Sequence, residues 1–95
     1  LTYYQKAIKI ANLLENKQAI AICLNNMGNI HEKQKEYNQA LKIYEQSLAL
    51  KEEIKDKKGI ASTLNNIGII YEKQEQLTTA LSYHQKAMKI FEELK

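Results

Sequence analysis

The chain has 95 residues, enough for one small domain with a modest core. Hydrophobic residues make up 44% and charged residues 26%, but there are only three glycines and no proline, which excludes a fold rich in sharp turns and points to long helices. The net charge of +3 does not indicate nucleic acid: every basic residue is lysine, and arginine, the preferred fork for phosphate and base edges, is absent.

The lysines are also interleaved with glutamates, at Glu32-Lys33, Lys35-Glu36 and Lys51-Glu52, so the charge reads as solvation of helix surfaces. No apolar run approaches the ~20 residues of a membrane span, and no signal-peptide pattern opens the chain. The single Cys23 has no partner for an internal disulfide, which fits a reducing, cytoplasmic setting. Leu1 already lies inside a helical pattern, as expected of a piece from a longer array.

The first predicted helix covers Leu1 to Leu14, with Leu1, Tyr4, Ala7, Ile8 and Ala11 on one face. A second runs from about Gln18 to Lys33 and places Leu24, Met27, Gly28 and His31 at the three-and-four spacing of an amphipathic helix. The third, Tyr37 to Ile54, presents Tyr37, Ala40, Leu41, Tyr44, Ser47 and Leu48, and its apolar line continues through Leu50 and Ile54. The fourth, Lys58 to Lys73, carries Leu64, Ile67, Gly68 and Tyr71. A fifth presents Leu77, Ala80, Leu81, His84, Ala87, Met88 and Phe91. Asn16 and Asp56 are suited to cap the second and fourth helices, although Lys57 and Lys58 sit unfavourably at a helix N-terminus.

The fourth and fifth helices repeat the second and third at an offset of 40. Leu24-Asn25-Asn26-Met27-Gly28 returns as Leu64-Asn65-Asn66-Ile67-Gly68, Glu32-Lys33-Gln34 as Glu72-Lys73-Gln74, and Ala40-Leu41 as Ala80-Leu81. Tyr4 recurs at Tyr44 and becomes His84. The small residues Gly28, Gly68, Ala40 and Ala80 let paired backbones approach closely. The chain therefore divides into the second helix of a truncated unit (1–15) and two whole units (16–55 and 56–95).

The Leu-x-x-Met-Gly-x-x-His run at Leu24–His31, the Leu-x-x-Ile-Gly-x-x-Tyr run at Leu64–Tyr71, and Ala40-x-x-x-Tyr44 with Ala80-x-x-x-His84 resemble the tetratricopeptide repeat. The resemblance covers essentially the whole chain. Three features depart from the common form. The unit is 40 residues long where 34 is usual, and the closing proline is absent near Glu52 and Glu92. Lys35 and Glu75 stand where a glycine usually separates the helices. A longer unit with an Asn-Asn pair is similar to the repeats of kinesin light chains and G-protein-signalling modulators, and to repeats in bacterial signalling proteins. The resemblance implies an all-α fold, a right-handed superhelical α-solenoid of antiparallel helix pairs, binding a protein segment in a concave groove.

In such a stack the first helix of each unit lines the groove. The stripe opposite its core face is Ile22, Asn25, Asn29 and Lys33 in one unit and Ser62, Asn65, Ile69 and Lys73 in the next, with Asn26 and Asn66 at its edge. An asparagine amide offers a donor and an acceptor together, matching a peptide unit, while Ile22 and Ile69 offer apolar seats. The same asparagines have a structural use, bonding neighbouring helices and stiffening the stack. The carboxylate clamp of the family's chaperone-tail receptors needs lysine or arginine where this stripe has asparagine, so that ligand is not expected.

His31 and His84 replace aromatics of the core pattern and are expected to be buried, with no clustered carboxylate or cysteine to form a metal set. Cys23 is expected to pack. No phosphate loop, nucleophile elbow or other catalytic motif occurs, so neither an enzyme nor a cofactor is expected. The expected function is a scaffold that binds a peptide or protein partner, with no role for nucleic acid or membrane. The alternative is a structural spacer or a self-association element that forms homo-oligomers through uncapped ends.

Overall fold

The computed structural model describes residues 2–95 and consists of five α-helices in simple succession. They are α1 (Thr2–Leu13), α2 (Lys17–Lys33), α3 (Tyr37–Glu53), α4 (Lys57–Lys73) and α5 (Leu77–Glu93), with no strand among the described residues. Leu1, expected at the head of the first apolar stripe, lies outside the described residues. The expected and observed helix bounds agree to within a residue or so.

All four connections have the same construction. Glu15, Lys35, Lys55 and Glu75 adopt left-handed backbone, with φ of 54°, 63°, 56° and 61°. Each turn is closed by a pair of bonds: in the second, Lys35 N–H reaches the Glu32 carbonyl at 2.9 Å and Glu36 N–H reaches the His31 carbonyl at 2.8 Å. This is the Schellman ending, formed here without the glycine that normally relieves its left-handed residue. The next residue starts the following helix. Asn16 and Asp56 do so as expected, their side-chain oxygens accepting from Ala19 N–H and Gly59 N–H at 3.0 Å each. Glu36 and Gln76 make no such side-chain bond.

The closest pairs are α2 with α3 and α4 with α5, while α1 packs on α2 and α3 on α4. The Cα trace measures 39 × 33 × 16 Å, a slab two helices thick. Glycine makes the close pairs possible. A Cβ on Gly28 would lie 2.6 Å from the ring of Tyr44, and one on Gly68 would lie 2.8 Å from the ring of His84. The central core gathers Ala40, Tyr44, Ile67 and Ile70, and a second cluster joins Ala61, Leu64 and Ala87.

Three buried polar side chains tie the layers. Ser47 donates to the Ala21 carbonyl at 2.9 Å, joining α3 to α2. Lys51, only 7% exposed, donates from Nζ to Thr63 Oγ1 at 2.9 Å, joining α3 to α4. Lys51 therefore does not solvate the surface, contrary to what its pairing with Glu52 in the sequence suggested. It continues the Tyr44–Ser47 stripe by one turn and so lands under α4, where Gly59 and Thr63 leave room for its stem. Burial pulls its ammonium below the usual lysine range, and nearby Asp56 partly opposes that shift.

Candidate functional site

The first helices α2 and α4 lie in one layer and are bonded directly to each other. Asn66 Nδ2 donates to Asn25 Oδ1 at 3.3 Å, and Lys73 Nζ donates to Glu32 Oε2 at 2.9 Å. Residues from both predicted stripes therefore stand side by side. Ile22 is half exposed at 51%; Asn25, Asn26, Asn29, Ser62, Asn65, Asn66 and Ile69 are partly buried; Lys33 and Lys73 are exposed.

Most of these amides already hold one structural bond. Asn29 Oδ1 accepts from the hydroxyl of Tyr44, which also reaches Glu32 Oε1 at 3.2 Å. Burial, then the Glu32 charge and hydrogen bond, push that phenol well above the usual tyrosine range, so it remains a donor. Asn65 Oδ1 accepts from His84 Nδ1 at 2.7 Å. The asparagine pair thus splits its roles: Asn25 and Asn66 join neighbouring units, while Asn65 braces the partner helix within its own unit. The amino groups of Asn25 and Asn65 remain as donors, and the carbonyl oxygen of Asn66 as an acceptor.

The histidines differ from expectation. Neither is fully buried, and each has a carboxylate beside it: His31 Nδ1 lies 2.8 Å from Glu36 Oε1, and His84 Nε2 lies 2.5 Å from Glu72 Oε1. In the sequence Glu72 stood out only as the repeat of Glu32; that the His84 ring reaches it depends on how α5 packs on α4. The His84 ring sits between Asn65 on one side and Glu72 on the other. Among the described residues no group of three or more His, Cys, Asp or Glu side chains gathers as a metal set. Cys23 is a free, partly buried thiol.

Asn65 also borders a second feature. With His84, Met88 and Phe91 it lines a cleft of about 360 Å³ at the α5 end of the stack. The apolar side chains of that face stand open, with Leu77 at 67%, Leu81 at 57% and Met88 at 59% exposure. Their counterparts Tyr37, Leu41 and Leu48 are partly buried and pack against the core cluster to which α4 contributes. What separates the two sets is that α4 packs on α3 as well as on α5, whereas no further helix among the described residues packs on the outer face of α5.

Paired helices, a shared Schellman turn, a glycine under an aromatic or imidazole ring, and a 40-residue period together define a repeat architecture. A family model described as tetratricopeptide repeat matches residues 1–53, and a second with the same description matches residues 60–94. The chain belongs to the tetratricopeptide repeat family. Tetratricopeptide repeats are protein–protein interaction modules that act as a non-catalytic scaffold, and stacking them gives an α-solenoid. No curated protein matches the chain at a significant level. No helix among the described residues of this tetratricopeptide stack is long and apolar enough to cross a membrane.

Proposed function

We propose that this tetratricopeptide stack binds an extended peptide or protein segment along the layer formed by α2 and α4, in a cytoplasmic setting. The observation that carries the reading is the row of partly exposed amides held in fixed orientation. Asn25, Asn65 and Asn66 each spend one end of the amide on the scaffold and keep the other end for a ligand. A donor or acceptor already oriented loses little entropy on binding, so a row of them grips peptide groups with little dependence on side-chain identity. Ile22 adds an exposed apolar seat beside the row, and Ile69 a partly buried one.

A peptide selected from a random library against the chain provides the probe. Ile22→Ser should weaken its binding several-fold at unchanged melting temperature, because Ile22 is half exposed and contributes little to the fold. Asn65→Ala should weaken binding about tenfold, from an unpaired peptide group worth ~1–3 kcal/mol, and should also lower the melting temperature slightly through the lost His84 bond. Normal affinity in both variants would remove the assignment.

A second reading, self-association, is favoured by the open apolar side chains of α5. Leu77, Leu81 and Met88, each more than half exposed, with Phe91 and Leu94, offer a face of the kind that mediates contacts between proteins.

A further inference from the structure

The layer of second helices carries a surface of a different kind. α3 and α5 run over α4 without packing closely on each other and leave a trough of about 550 Å³. Its floor is apolar, formed by Leu48, Ile60, Leu64 and Ile90. Tyr83 closes one end, stacked on Tyr71 with ring centroids 5.5 Å apart and with Lys86 Nζ 5.2 Å from its own ring centre. The rim is charged and ordered: Lys86 and Lys89 stand along the middle of α5, while Glu52 and Glu93 stand near the C-terminal ends of α3 and α5.

None of these four side chains is in an ion pair among the described residues, and all four are exposed. The helix C-termini add negative dipole ends beside the two glutamates. One part of the trough therefore favours an anion and the other a cation. Nothing in the repeat itself requires this arrangement. Forty residues earlier, Lys86 and Lys89 correspond to Gln46 and Ala49, and the counterpart of Glu93 is Glu53, which is paired with Lys17 at 2.7 Å.

Length and charge order restrict the occupant. From Tyr83 to Glu93 the wall rises about 15 Å along α5. We infer that the trough docks an extended segment of a partner protein whose inward-facing residues read acidic, apolar, basic. Alternate residues of an extended chain share one face, and positions i to i+4 span ~13 Å, close to the ~10 Å from Lys86 to Glu93. The carboxylate meets Lys86 and Lys89, the apolar side chain rests on Leu48 and Ile90, and the cation meets Glu52 and Glu93. This surface reads charge order, independently of the amide row on the opposite layer.

The test uses the intact 95-residue chain and a fluorescein-labelled peptide with Glu, Leu and Lys at alternate positions separated by threonine. Binding is followed by anisotropy and by amide chemical-shift mapping. Shifts should gather at Leu48, Tyr83, Lys86 and Ile90, and K86E/K89E should weaken binding tenfold or more. A peptide with lysine at both charged positions should bind several-fold more weakly to the unaltered chain and regain affinity on K86E/K89E. E52K/E93K tests the other end and should also weaken the Glu-Leu-Lys peptide. These exposed substitutions leave helicity intact, and Lys86→Gln with Lys89→Gln serves if the reversal disturbs folding. No binding at millimolar peptide, equal affinity across the charge variants, or shifts on the α2–α4 layer or the α5 end would overturn the proposal.

Discussion

Gly28 and Gly68 occupy equivalent positions but face different rings, and their substitutions should differ accordingly. The Tyr44 ring over Gly28 is fully buried and its hydroxyl is held by Asn29 and Glu32, so it has nowhere to move. Gly28→Ala brings a Cβ to 2.6 Å from that ring, and overpacking costs ~1–3 kcal/mol against the ~1 kcal/mol that alanine contributes to a helix. The melting temperature should fall by several degrees. Gly68→Ala meets the His84 ring, which is partly exposed and can shift toward solvent at the expense of its Asn65 and Glu72 bonds, so the loss should be smaller than at Gly28. Thermal unfolding of the two variants side by side checks the ordering, and an equal or larger loss at Gly68 would contradict it. The packing role of both glycines was legible in the sequence, because an apolar stripe at helical spacing placed them on the buried face. Lys51 was not, although its distance of seven from Tyr44 marked the stripe. Adjacent Glu52 made the pair look like surface charge, and only Gly59 and Thr63 across the interface explain where the lysine stem goes.

At the scale of elements, helix positions follow from the 40-residue period and from two side-chain caps, which the sequence displayed openly. The turns were only half legible. A missing glycine drew attention to Lys35 and Glu75, yet Glu15 and Lys55 adopt the same left-handed backbone. The Schellman bonds impose that conformation on whichever residue follows the helix, and four non-glycine residues bear its strain. Each of the substitutions Glu15→Gly, Lys35→Gly, Lys55→Gly and Glu75→Gly should therefore stabilise the chain by up to about 1 kcal/mol. Combined, they should raise the melting temperature by ten degrees or more, since ~1 kcal/mol is worth about 4–8 °C in a domain this small. A quadruple variant that melts at or below the parent would show that the turns are not strained. The direction of the amide side chains was also hidden. Sequence spacing places Asn25, Asn65 and Asn66 near one face of their helices, but whether each bonds a neighbouring unit, its own partner helix or a ligand depends on how the helices cross.

On the scale of the whole molecule, the stack has two layers, and Leu77, Leu81 and Met88 of α5 are exposed on one face. The exposed face of α5 should make the chain self-associate with rising concentration, and sedimentation velocity over a hundredfold concentration range checks this. Leu81→Lys with Met88→Lys, both at exposed positions, should restore a monomer without loss of helicity, while a parent that stays monomeric throughout would remove the self-association reading. Binding along the layer of first helices is read most directly by amide chemical-shift mapping with the library-selected peptide. Shifts should concentrate on Ile22, Asn25, Asn29, Asn65, Asn66 and Ile69, spread over both α2 and α4, because an extended segment must cross from one unit to the next. Shifts confined to the α5 end, or to the trough between α3 and α5, with the asparagine row unmoved, would contradict it and leave those amides as scaffold.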